Sequence, residues 1–210
     1  MTFTVDDIFN AGTVIPVLAY QSIEEALVTS DTLYQAGIRV FEITLRHETA
    51  LEGINAVAKA LPKDAMIGAG TIMNATDLNK ARDAGAGFGI SPGLTRDLAI
   101  AIQNTGLPFL PGTATLSEAM MASDLGFKAL KFFPASVSGG APYLKAAGAV
   151  LPSIQFCPTG GINMQNKEDY LALSNVPVVG GSWIVVRGAD GAIDQEQTYK
   201  NAVAVAKNKS

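Results

Sequence analysis

Gly126-Phe127-Lys128-Ala129-Leu130-Lys131-Phe132-Phe133-Pro134-Ala135 is a short apolar run between a glycine and a proline, and it reads as a buried β-strand over Phe127 to Phe132. Extended backbone alternates its side chains, so Phe127, Ala129, Lys131 and Phe133 share one face and Lys128, Leu130 and Phe132 the other. Just upstream, Thr115 or Ser117 can open a helix that carries Glu118 near its start and stops at Gly126. Helix, glycine, strand is therefore the local unit.

That unit recurs. Ser22 can cap a helix with Glu24 and Glu25 in its first turn and Gly37 as its stop, and Asn74 precedes another that ends at Gly85. Candidate strands are Val14 to Tyr20, Arg39 to Thr44, Met66 to Gly70, Gly87 to Ser91, Pro108 to Pro111, Phe127 to Phe132, Ile154 to Pro158 and Val176 to Gly180. Eight strand and helix units in 210 residues, with no Ser/Gly linker, predict a single α/β domain of the (β/α)8 TIM barrel type over residues 1–210. Segment 1–12 and a C-terminal helix at about 194–208 are expected to pack on it. A doubly wound open sheet is the rival, and its dinucleotide-binding version lacks the Gly-x-Gly-x-x-Gly it would need after the first strand.

Composition narrows the function classes. Hydrophobic residues make up 48% and charged residues 16%, which suits a globular chain. A formal net charge of -4 with no basic block argues against nucleic acid or an anionic membrane as partner, and for a small diffusible ligand. One cysteine, Cys157, permits neither an intramolecular disulfide nor a Cys-based zinc cluster. One histidine, His47, reads as an exposed residue near a helix start, and a metal site is not expected. No basic n-region followed by an apolar h-region opens the chain, so the expected location is cytoplasmic.

In a barrel, chemistry collects where strands end. Those positions hold Glu42 and Arg46 after the second strand, Thr71 after the third, Ser91-Pro92-Gly93 after the fourth, then Lys131, Thr159-Gly160-Gly161 and Gly180-Gly181-Ser182. A buried lysine in its neutral form is a nucleophile for carbonyls, and a buried carboxylate such as Glu42 can act as general acid and base. Two other readings stay open: Lys131 snorkels to solvent at a strand end, or Glu42 and Lys131 form a purely structural ion pair. Arg46 has the forked geometry that holds a carboxylate, with Thr71 and Thr159 as hydroxyl donors. Gly160-Gly161 and Gly180-Gly181-Ser182 occupy the loops where such barrels bind phosphate through backbone N–H groups. Cys157, Phe132 and Trp183 read as packing.

The chain resembles the 2-keto-3-deoxy-6-phosphogluconate (KDPG) and 4-hydroxy-2-oxoglutarate (KHG) aldolase family from about Val14 to Val185. The resemblance is carried by Phe41-Glu42-Ile43-Thr44-Leu45-Arg46, Gly68-Ala69-Gly70-Thr71, Ile90-Ser91-Pro92-Gly93, Leu130-Lys131-Phe132-Phe133-Pro134-Ala135, Phe156-Cys157-Pro158-Thr159-Gly160-Gly161-Ile162 and Gly180-Gly181-Ser182-Trp183. It implies class I aldol cleavage of a sugar acid phosphate, with Lys131 as Schiff-base lysine and Glu42 as acid and base. Arg46 and Thr71 would hold the pyruvyl carboxylate, with Pro92, Phe133 and Thr159 around the imine. Gly160, Gly161, Gly180, Gly181 and Ser182 would form the phosphate end. No cofactor is implied, and the expected assembly is a homotrimer. Substrates of the same chemistry are 4-hydroxy-2-oxoglutarate and the galactonate-series epimer; a phosphate-binding barrel isomerase or a non-catalytic sugar-phosphate binder would be alternatives of another class. Ser136, where family members often carry an acid, and His47, where a small hydroxyl residue is common, both bear on preference at the far end of the substrate.

Overall fold

Ser22, Asn74 and Thr115 each accept a hydrogen bond from the backbone N–H three residues on, at 3.1, 2.9 and 3.3 Å, so three of the starts expected from side-chain chemistry are starts the chain uses. At the third, Thr115 rather than Ser117 is the cap, and Glu118 closes a capping box by accepting from the Thr115 N–H. The structure, a computed structural model, describes residues 3–206; positions 1, 2, 207 and 208 of the expected terminal segments lie outside the described residues.

The elements run α1 (Val5–Asn10), β1 (Val14–Leu18), α2 (Ile23–Gln35), β2 (Val40–Thr44), α3 (Ala50–Ala60), β3 (Met66–Gly70), α4 (Ala75–Asp83), β4 (Phe88–Ile90) and α5 (Arg96–Thr105). They continue with β5 (Phe109–Leu110), β6 (Gly112–Thr113), α6 (Leu116–Asp124), β7 (Ala129–Phe132), α7 (Gly140–Val150), β8 (Gln155–Pro158), α8 (Lys167–Leu171), β9 (Val179–Gly181) and α9 (Gln195–Ala206).

All ladders between these strands are parallel. One six-stranded sheet has the order β5-β4-β3-β2-β1-β9 and a three-stranded sheet the order β6-β7-β8. A single parallel bridge, Thr159 to Gly180, lies between the β8 and β9 ends. The result is an α/β fold with a curled parallel sheet. The expected strand over Pro108 to Pro111 is shorter, as β5, and an unexpected strand, β6, follows Pro111, which has no N–H to give to a ladder, although its carbonyl still accepts from the Lys131 N–H at 2.9 Å. The last strand begins three residues later than expected and takes in Gly181, because β1 fixes its register through Ile15 to Gly180 and Pro16 to Gly181.

Two apolar clusters flank the sheet. The larger one joins outward strand residues such as Phe41, Ile67, Leu130 and Phe156 to the helices. A smaller cluster holds Ile15, Val40, Met66, Phe88, Ile90, Leu110, Cys157 and Val178 with Ile8 and Phe9 of α1, which fills one end of the curl. On β7, Leu130 and Phe132 belong to the outer cluster while Ala129 packs on the inner one, as alternation requires. No helix among the described residues is long and apolar enough to cross a membrane.

Candidate active site

Lys131 and Glu42 meet inside the curl. Nζ of Lys131 donates to Oε1 of Glu42 at 3.0 Å, and the two residues are only 6% and 1% exposed. The snorkelling alternative for Lys131 is therefore overturned. Each side chain is there for a periodic reason: Glu42 follows Val40 by two residues on β2, Lys131 follows Ala129 by two on β7, and both preceding residues touch the inner cluster.

A glycine makes room for the carboxylate. A Cβ on Gly70 would stand 2.2 Å from Oε1 of Glu42, and one on Gly68 2.3 Å from the Phe88 ring, so β3 presents backbone where its neighbours present side chains. Gly-x-Gly inside a strand is a sequence signal for such close approach. The Phe133 ring centroid lies 5.4 Å from Nζ of Lys131, offering its π-face to the ammonium.

The neighbouring strands bring further expected residues close. Gly112 is in register with Lys131, and a Cβ on it would stand 2.2 Å from the Pro92 carbonyl carbon, so the Pro92 backbone passes beside the lysine's strand. Ser91 Oγ accepts from the Gly112 N–H at 3.3 Å and holds that approach. Cys157 is in register with Lys131 on the other side, and burial pushes its thiol up to about 12 against the pull of the Lys131 charge. Two residues on, the Thr159 hydroxyl is buried beside the Cys157 thiol. It points at Gly180, where a Cβ would stand 2.2 Å from Oγ1.

Arg46 and Thr71 occupy the same end of the sheet without touching the pair. Arg46 follows β2, is exposed and has no ion-pair or hydrogen-bond partner among the described residues. Thr71 directly follows β3 at φ 62, the one non-glycine residue with positive φ among those described. Neither forms a hydrogen bond or ion pair with Lys131 or Glu42. An unpaired guanidinium and a hydroxyl residue in left-handed backbone thus stand at adjacent strand ends.

The Thr159 to Gly180 bridge makes the two glycine pairs neighbours. Gly160 and Gly161 leave β8 at φ 101 and 76, backbone that favours glycine. Gly180 lies in β9 as expected and Gly181 is a strand residue as well, with exposed Ser182 directly after them. The Trp183 ring lies over Gly181, where a Cβ would stand 1.5 Å from it, so this indole packs against backbone. His47 is exposed just before α3, as expected. Among the described residues no group of three or more His, Cys, Asp or Glu side chains is placed to hold a metal ion.

This arrangement has close relatives. The sequence profile of the KDPG and KHG aldolase family matches residues 5–200. A 2-dehydro-3-deoxy-phosphogluconate aldolase of Pseudoalteromonas atlantica is 45% identical over 95% of this chain and 94% of its own. A KHG/KDPG aldolase of Escherichia coli is 43% identical over 94% of this chain and 92% of its own. The crystal structure of a KDPG aldolase from Legionella pneumophila, with pyruvate captured as a covalent carbinolamine intermediate, superposes with a TM-score of 0.91 at 42% identity, covering 94% of this chain and 96% of the other. Identity at this level over nearly the whole length leaves one conclusion: the chain belongs to the KDPG and KHG aldolase family.

Proposed function

We propose that this chain is a class I aldolase that cleaves 2-dehydro-3-deoxy-6-phosphogluconate to pyruvate and glyceraldehyde 3-phosphate. The observation that carries this is the buried Lys131 amine, 3.0 Å from the Glu42 carboxylate on a separate parallel strand. Passing one proton along that bond leaves a neutral amine beside a carboxylic acid, the pair that carbonyl addition needs. Lys131 attacks the C2 carbonyl, and Glu42 protonates the carbinolamine oxygen so that water leaves. The iminium withdraws electrons as the C3–C4 bond breaks, and Glu42 takes the C4 hydroxyl proton. Protonation of the enamine at C3 and hydrolysis then free pyruvate and the lysine.

Around this chemistry Arg46 and Thr71 hold the pyruvyl carboxylate, and Pro92, Phe133 and Thr159 enclose the imine. Gly160, Gly161, Gly180, Gly181 and Ser182 take the phosphate. Adjacency of the glycine pairs through the Thr159 to Gly180 bridge supports one compact phosphate site. The same bridge, with β5 and β6 consecutive on either side of Pro111, supports reading the two sheets as one closed (β/α)8 barrel and the chain as a single domain. Exposed apolar side chains such as Met73, Met120 and Met121 suit a subunit interface, and a homotrimer is the assembly proposed.

The Escherichia coli relative is named for both substrates, which favours 4-hydroxy-2-oxoglutarate as a second one, giving pyruvate and glyoxylate. The test is a panel of kcat/KM values for pyruvate release from the phosphogluconate derivative, its galactonate epimer and 4-hydroxy-2-oxoglutarate. The phosphorylated gluconate compound is expected to lead by at least about tenfold, the worth of one good charge-assisted contact. Equal values for phosphorylated and unphosphorylated substrates would count against the phosphate site.

A further inference from the structure

We propose that Ser136 is a specificity-determining residue that donates a hydrogen bond to the phosphate end of the substrate, an assignment that rests on the aldolase reading above. The turn after β7 is laid along the segment leaving β8 by two backbone bonds, Ala135 N–H to Thr159 O at 2.8 Å and Ser136 N–H to Gly160 O at 3.0 Å. These bonds carry the Ser136 side chain onto Gly161. A Cβ at position 161 would stand 1.9 Å from Ser136 Oγ, so the hydroxyl sits in direct contact with the glycine backbone.

Gly161 is itself held from the other side, where Asn166 Nδ2 donates to its carbonyl at 2.9 Å. The glycine is thus fixed between two elements, and the serine with it. Ser136 is exposed and its hydroxyl makes no hydrogen bond among the described residues, so a donor is left unspent beside the phosphate loop. Ser136 also lines a cleft of about 740 Å³ with Lys145, Asn166 and Asp169, so its side chain is open to solvent.

A phosphate monoester offers acceptor oxygens and negative charge, and a neutral hydroxyl meets it without repulsion. The hydroxyl should therefore act on phosphorylated substrates and leave bond-making at Lys131 untouched.

Two measurements on the full chain test this. In calorimetric titration with glycerol 3-phosphate, Ser136→Ala is expected to weaken Kd by about 5- to 20-fold and Ser136→Thr to stay within about twofold of the parent. In turnover, Ser136→Ala is expected to lower kcat/KM for the phosphorylated keto acid by the same factor while its unphosphorylated counterpart stays within about twofold. Equal Kd values in parent and Ser136→Ala, no binding of glycerol 3-phosphate by the parent, or a parallel loss on both substrates overturns the assignment. A parent that cleaves neither substrate would sink the aldolase reading instead, and the calorimetric comparison would then decide the role of Ser136 alone.

Discussion

At the scale of single residues, Lys131 and Glu42 pose a question of stability against use. A buried ion pair is seldom better for stability than well-packed apolar residues, yet breaking one strands a charge and costs about 3–5 kcal/mol. Lys131→Met alone should therefore destabilise the fold by about that amount in urea titration. The double variant Lys131→Met/Glu42→Leu should recover most of it while remaining inactive. A double variant as unstable as the single one would mean the pair is held for stability. Cys157 beside them makes the opposite prediction about reactivity. Its thiol is pushed from 9.0 up to about 12 by burial, so the folded chain keeps a neutral, unreactive sulfur at pH 8. Iodoacetamide should label it only after unfolding; labelling at the rate of a free thiol in the native chain would contradict the buried placement. Because the folded value is the higher one, the stability this gives is present below about pH 9 and is lost as pH rises toward about 12.

At the scale of elements, β3 explains how a carboxylate can sit inside a packed curl. Met66, Gly68 and Gly70 alternate inward on it, and the last of these leaves the space that Oε1 of Glu42 fills. Gly70→Ala places a Cβ 2.2 Å from that oxygen, so either the carboxyl or the strand must shift. The expected result is a fall in kcat of at least about a hundredfold, since misplacing a catalytic group by an ångström has that effect, with a stability loss of about 1–3 kcal/mol. Unchanged kcat would show that the Glu42 position is not critical. Helix starts were legible at Ser22, Asn74 and Thr115, where a side chain makes the cap, although the side-chain caps Thr4 and Thr95 went unnamed. They were silent where none does: Thr49 before α3 makes no side-chain cap bond, and α7 starts behind Gly139 in left-handed backbone.

At the scale of the whole molecule, the strand and helix rhythm revealed an α/β fold and one chemical end because both follow from local periodicity. What the rhythm did not reveal came from register. The unexpected strand β6 after Pro111, the late start of β9, and Ser136 lying on Gly161 each depend on a neighbouring strand or turn that no local pattern encodes. The candidate site divides the same way. Lys131 and Glu42 could be named from apolar strands with one ionisable inward residue each, whereas their 3.0 Å contact is a product of the curl.

Everything proposed for this site rests on Lys131 forming an imine with a 2-keto acid. Incubating the chain with pyruvate and borohydride, then mapping peptides by mass spectrometry, tests it most directly. A stable reduced pyruvyl adduct is expected on the Lys131 peptide, absent in Lys131→Arg and without borohydride. No adduct on that peptide in the parent, or an adduct of equal yield in Lys131→Arg, would contradict it.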